Sequence, residues 1–230
     1  MARSLDGPRL KPISGKAKQL VVILHGYGAD GNDLIEIGRH WQKILPDAAF
    51  VSPHAHEPCA MAPGGRQWFR LTDRNPHERW SGVCSAHPVI DSFIDEELAE
   101  HGLTPDKVAI CGFSQGAMMA LHVGLRRKVA PAGIIGLSGT LVGPENLADA
   151  TARSANGFPP PVLIMHGHMD EVIPVDSMFM AADQLAAVNI PCQWHLAIGL
   201  GHGIDGEEIR QGAMFLARCF GLPTPALSRR

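Results

Sequence analysis

No stretch of this sequence stays apolar long enough to cross a membrane. Apolar runs such as Leu20 to Leu24 and Val162 to Met165 have the length of strands, whereas a spanning helix needs about 20 apolar residues. A basic surplus is also missing: 20 Lys and Arg against 23 Asp and Glu leave a formal charge of −3, so bulk electrostatics gives no reason to expect nucleic acid as a partner. Met1 to Lys18 is polar and basic, without the apolar segment of a secretory signal, and the expected location is the cytoplasm. There is no CxxC pair. Cys59, Cys84, Cys111, Cys192 and Cys219 are odd in number and widely spaced, which reads as reduced thiols rather than a disulfide framework or a zinc site. No internal repeat or low-complexity linker marks a domain boundary.

What is present is an ordinary globular composition, 45% hydrophobic and 19% charged over 230 residues, enough for one domain with a full core. Short, continuously apolar runs alternate with helical patterns, the signature of an α/β architecture: a mostly parallel central sheet with helices on both faces. The candidate buried strands are Leu20 to Leu24, Ala48 to Val51, Val108 to Cys111, Gly133 to Leu137 and Val162 to Met165. The alternating run from Cys192 to Ile198 suits an edge strand. Asn32 can cap a helix carrying Leu34, Ile37, Trp41 and Ile44, with Pro46 as its stop. A second stripe, Ile90, Phe93, Ile94 and Leu98, ends at Gly102, which suits a left-handed cap. A third helix follows Gln115 and finishes in Arg126, Arg127 and Lys128, cations that read as a helix terminus rather than a binding patch. A fourth runs from about Asp176 to Val188, and a fifth starts at about Gly206. Ser52 to Gly82 is left as a long connection rich in Pro, Gly, His and Trp, the kind of loop that is usually functional. Thr140 to Pro161 is a shorter one, too short for a lid domain.

Gly112-Phe113-Ser114-Gln115-Gly116 is a GxSxG pentapeptide that follows a strand and opens a helix. In that setting a serine sits on a sharp elbow with its hydroxyl exposed above the sheet, and side chains at the two glycines would collide across the turn. A serine hydroxyl is a poor nucleophile at neutral pH and needs a base, which needs an orienting acid. Of the 12 histidines, His202 in Gly201-His202-Gly203 stands just after the last strand, where reacting groups gather in such sheets. Asp170 follows the strand ending at Met165 and lies between serine and histidine in the chain. Glu171 is its nearest rival, while Asp176 has a plain role at a helix start. Charge that builds on a carbonyl oxygen during acyl transfer would be met by the main-chain N–H of Gln115 and by that of Tyr27 in the loop after the first of these strands.

Two other patterns compete. His166-Gly167-His168-Met169-Asp170 looks like the HxHxD start of a metal-hydrolase site, but Glu171 stands where the next histidine is required, and His54 and His56 have no partner set. Gly26-Tyr27-Gly28-Ala29-Asp30-Gly31 is a formal GxGxxG, yet the next strand ends Phe50-Val51-Ser52-Pro53 with no acid to hold a ribose. Neither a metal nor a dinucleotide is therefore expected, and serine-based acyl transfer needs no cofactor.

Taken together, His25-Gly26-Tyr27-Gly28-Ala29-Asp30-Gly31, Gly112-Phe113-Ser114-Gln115-Gly116-Ala117, His166-Gly167 with Asp170 and Ile173-Pro174, and Gly201-His202-Gly203 resemble the phospholipase/carboxylesterase and acyl-protein thioesterase family of α/β-hydrolases. The resemblance runs in order through nearly the whole chain, and Tyr27 and Ala117 place it nearer the bacterial carboxylesterase branch. It implies an α/β-hydrolase fold, a serine carboxylesterase acting on small or acyl-chain esters, thioesters or lysophospholipids, and a homodimer. It also implies that Trp68 and Phe69 border the substrate groove. The expected organisation is an N-terminal extension over 1–17, one domain over 18–221 and a C-terminal tail over 222–230, with an open site walled mainly by Ser52 to Gly82. The alternatives are an acyl-protein thioesterase, a catalytically silent binding module of the same fold, and a dinucleotide-dependent oxidoreductase.

Overall fold

Uncharged, apolar segments leave little choice but burial on both faces, and the computed structural model, which describes residues 5–150, 152–153 and 157–223, stacks them side by side. In chain order the strands are β1 (Arg9–Leu10), β2 (Gln19–Leu24), β3 (Ala48–Val51), β4 (Glu57–Pro58), β5 (Arg66–Gln67), β6 (Val108–Phe113), β7 (Gly133–Leu137), β8 (Val162–Gly167) and β9 (Cys192–Ala197). The helices are α1 (Gly31–Trp41), α2 (Pro76–His101), α3 (Gln115–Gly124), α4 (Asp176–Ala187) and α5 (Gly206–Cys219). The main sheet has the order β1-β3-β2-β6-β7-β8-β9, parallel except for β1. β4 and β5 form a separate antiparallel pair.

Successive side chains of a strand point to opposite faces, and β2 shows the division. Leu20, Val22 and Leu24 join the core that holds Ile90, Phe93 and Ile94 of α2, Met119 of α3 and Met178 of α4. Val21 and Ile23 join the other, with Leu34, Ile37 and Trp41 of α1 and Ala213 and Leu216 of α5. The Trp41 indole donates to Ile209 O at 2.7 Å, tying α1 to α5. Chain order reverses between β2 and β6. That reversal opens a crevice at the carboxyl ends of these two strands, where ligands bind in open parallel sheets.

Several boundaries differ from expectation. The cap of α1 is Asp30, whose carboxylate accepts from Asn32 N, two residues earlier than foreseen. That carboxylate occupies the helix N-terminus, the place a pyrophosphate would need in the GxGxxG reading. Helix α2 begins at Pro76, capped by Asn75, so the end of the supposed long loop is helical. Asn followed by Pro is a start signal in the sequence. Gly102 does cap α2 in the left-handed region at φ 63°. Within the stretch foreseen as an extension, Arg9 and Leu10 pair with Val51 and Phe50 as an edge of the sheet. The cationic run after α3 is structural: Arg127 is buried and pairs with Asp91 and Asp95 of α2, and Arg126 lies over Trp80. All five cysteines are unpaired.

Candidate active site

The strand β6 passes into α3 through a single residue. Ser114 carries φ 54° and ψ −115°, a conformation costly for a non-glycine residue that persists only where the surroundings over-determine it. Here they do. Ser114 N donates to Leu137 O at 2.9 Å, and Ser114 O accepts from Ala117 N at 3.0 Å. A Cβ at Gly112 would lie 2.0 Å from Gly116 O, and one at Gly116 would lie 2.0 Å from Leu24 O. Both glycines are thus sterically required, the first across the turn as expected and the second against β2.

The turn after β8 and the loop after β9 bring two further groups to this serine. His202 Nε2 is 3.0 Å from Ser114 Oγ, and its Nδ1 is 2.7 Å from Asp170 Oδ2. A carboxylate beside Nδ1 places the proton there and leaves Nε2 to accept from the hydroxyl. Asp170 Oδ1 accepts from the N–H groups of Val172 and Ile173, each at 2.9 Å. Burial pushes this carboxyl up, but the bonds from His202 and the two N–H groups outweigh it and hold the group below its ordinary range. Glu171, the rival acid, is exposed and does not meet His202. The glycines flanking His202 leave space: a Cβ would meet its first neighbour only at 3.8 Å from Gly201 and 3.9 Å from Gly203. The demanding glycine is Gly167, where a Cβ would sit 2.2 Å from Gly201 O. Its absent side chain lets the histidine loop lie on the end of β8.

The HxHxD pattern does not converge. His166 is buried, with Nε2 at 2.9 Å from Ile173 O and 3.2 Å from Asp170 Oδ2, while His168 is exposed. Among the described residues no group of three or more His, Cys, Asp and Glu is placed to hold a metal ion.

Tyr27 and Gln115 face the same cavity as Ser114. Among the described residues, neither main-chain N–H is paired with a protein acceptor. The loop bearing Tyr27 is braced from two sides. On one side, Gly28 N donates to Arg66 O at 2.9 Å and Arg66 N to Ala29 O at 2.8 Å. On the other, His25 bridges Gly26 O and Ala55 N through its two ring nitrogens, at 2.8 and 3.0 Å. Burial lowers the pKa of this imidazole, in keeping with a neutral ring that donates through Nδ1 and accepts through Nε2.

Trp68 and Phe69 do not border the groove. They are 0% and 2% exposed, packed in the core beneath the loop. The Trp68 indole donates to His25 O at 2.9 Å, and the buried Gln115 amide accepts from Trp68 N at 2.9 Å while donating to Phe69 O at 2.7 Å. These aromatics anchor the long loop. The loop's contribution to the site lies a few residues on. A cavity of about 200 Å³ opens at Ser114 and His202, with Leu71, Met118, Val172 and Ile173 as its apolar wall. Arg74 and Arg79 complete it. No motif in the sequence marks these two arginines. An adjoining cavity of about 360 Å³ shares Arg79 and is lined by Leu141, Val142 and Met180 among others.

Comparison with known proteins bears on the fold and the family. The family model described as phospholipase/carboxylesterase matches residues 6–220. An acyl-protein thioesterase 1 of Kluyveromyces lactis is 30% identical over 233 residues, covering 95% of this chain and 99% of that protein. The esterase YpfH of Escherichia coli is 27% identical over 195 residues, 84% of this chain and 80% of its own length. Among solved structures, that of esterase PE8 superimposes with a TM-score of 0.88 at 41% identity, over 94% of this chain and 99% of the other. The chain therefore belongs to the phospholipase/carboxylesterase family and is an ester hydrolase of the α/β-hydrolase fold.

Proposed function

We propose that the chain is a serine carboxylesterase working through an acyl-enzyme. His202 Nε2 takes the Ser114 proton as Oγ attacks the ester carbonyl, and the negative charge on the former carbonyl oxygen is met by the N–H groups of Tyr27 and Gln115. The imidazolium then gives its proton to the departing alcohol. Water, deprotonated by the same nitrogen, attacks the acyl-serine and releases the acid, restoring the hydroxyl. Asp170 holds the imidazole tautomer and stabilises the imidazolium. The observation that carries this reading is the unbroken chain of contacts from Ser114 Oγ through His202 to Asp170, at 3.0 and 2.7 Å, beside two main-chain donors.

The test is hydrolysis of p-nitrophenyl esters over a range of acyl lengths by the natural protein and by Ser114→Ala. The variant is expected to lose about 1,000-fold or more in kcat, because the covalent step depends on Oγ. A fluorophosphonate probe should label Ser114 alone, and label elsewhere, or retained turnover in the variant, would sink the assignment. The name of the Kluyveromyces lactis relative supports thioesters as a second substrate class. Matched O-acyl and S-acyl substrates would rank the two.

A further inference from the structure

The only Asp, Glu, Lys or Arg side chains lining the 200 Å³ cavity at Ser114 are Arg74 and Arg79, among the described residues. The acid of the site, Asp170, is spent on His202 and on its own turn. Neither arginine has a carboxylate within ion-pair distance among the described residues. The carboxylates next to them in the chain are Asp73, which forms no ion pair with either among the described residues, and Glu78, which is taken: it accepts from the main-chain N–H groups of Thr72, Asp73 and Arg74, at 2.7, 3.0 and 2.6 Å. That same grip holds Arg74 in the left-handed region at φ 55°, a strained placement for a non-glycine residue. Arg79 Nε is buried with no hydrogen-bond partner. A shielded guanidinium N–H left unpaired is expensive in a folded protein. Arg79 also stands on the wall of the adjoining 360 Å³ cavity, whose one carboxylate is Glu145. In a chain of net charge −3, two unneutralised cations beside the nucleophile are a local arrangement rather than a reflection of composition.

We propose that Arg79, with Arg74 beside it, is the specificity-determining feature of this esterase and receives an oxyanion carried by the substrate. The chemistry is that of a guanidinium fork meeting a carboxylate or phosphate. A carboxylate at the far end of the acyl group, as in a half-ester of a dicarboxylic acid, is the smaller of the two and fits beside the ester in a cavity of this size. This inference rests on the hydrolase reading, since it places the ester carbonyl at Ser114.

The experiment compares kcat/KM for mono-4-nitrophenyl glutarate with that for neutral 4-nitrophenyl pentanoate, in the natural protein, Arg79→Gln, Arg79→Lys and the remote surface control Arg39→Gln. The expected anionic-to-neutral ratio is about ten-fold or more higher in the natural protein and in the control than in Arg79→Gln, with partial recovery in Arg79→Lys. A second arm sets a short-chain 1-acylglycerol 3-phosphate against the uncharged 1-acylglycerol, so that a phosphate on the alcohol side is told apart from a carboxylate on the acyl side. Equal ratios in all four proteins on both arms, or a natural protein that discriminates against anions, would overturn the proposal while leaving the esterase standing. Calorimetric titration of Ser114→Ala with the glutarate ester measures the same recognition without turnover. Binding that Arg79→Gln in that background does not weaken would also overturn it. Loss of all hydrolysis with intact binding would count against the esterase reading alone.

Discussion

Asp170 and Glu208 are both carboxyls with side chains fully withdrawn from water, and their surroundings drive them in opposite directions. Asp170 meets three donors, two on its own turn and one on His202, and it is held below its ordinary range in spite of burial. Glu208, in the first turn of α5, accepts from Asp205 N to complete a capping box. Its other oxygen has no partner. Burial raises its pKa to about 7 against the bond from Asp205. The difference separates a charge kept for use from one the fold barely tolerates. Only a carboxylate surrounded by donors can stay ionised beside an imidazole that, in the proposed mechanism, gains and loses a proton.

The sharpest way to break this contrast is Asp170→Asn. With the imidazole free to take the wrong tautomer, kcat is expected to fall by about 1,000- to 10,000-fold with the circular dichroism spectrum unchanged. Turnover within ten-fold of normal would remove Asp170 from the proton relay.

Next in size is the pH dependence of stability. Glu208 binds its proton more tightly in the folded state, so from this group the native state loses stability as pH rises from 4.5, its ordinary value, through about 7. That loss is on the order of 2 to 3 kcal/mol. Asp170 works the other way, since its depressed pKa contributes stability above the ordinary carboxyl range that is lost as pH falls through the folded value. Glu208→Gln keeps an oxygen for Asp205 N and has no charge to bury. Urea unfolding of this variant should therefore be flatter between pH 4.5 and 7.5 than that of the natural protein. Parallel curves would show that Glu208 ionises freely.

The smallest effect belongs to the cap itself. Asp205→Ala removes the acceptor of Glu208 N, at 2.8 Å, and should cost about 1 kcal/mol with kcat within two-fold of normal. A large change in kcat would mean that α5 steers the His202 loop that precedes it.

What could be read from the sequence was what depends on neighbours along the chain. The elbow at Ser114 was legible because collisions at Gly112 and Gly116 are dictated by a tight turn and the strand beside it. The partnership with His202 was legible because the alternation of strands and helices implies which chain segments end on the same edge of the sheet. Asp170 followed from its position after β8, although the two N–H groups that secure it come only with the folded turn. The start of α2 could have been found in Asn75-Pro76 but was hidden by the Pro, Gly and His around it. The burial of Trp68 and Phe69 is hidden from the sequence because the core they enter, and the Gln115 side chain that binds their main chains, come from far along the chain. Arg74 and Arg79 carry no pattern, and only the folded cavity marks them.

The brace beneath the loop bearing Tyr27 has an engineering consequence. Gln115 rivets Trp68 and Phe69 from below, and Arg66 stitches the same loop to Gly28 and Ala29. A Cβ at Gly65 would strike Gly28 O at 2.0 Å, so the root of the loop has no tolerance. Its tip has a great deal: Met61 is 79% exposed, and the turn there closes on itself through Gly65 N to Ala62 O. The molecule thus offers an address between the exposed Ala60 and Met61, ahead of that turn, where foreign sequence can be spliced in close to the active site with the turn left closed.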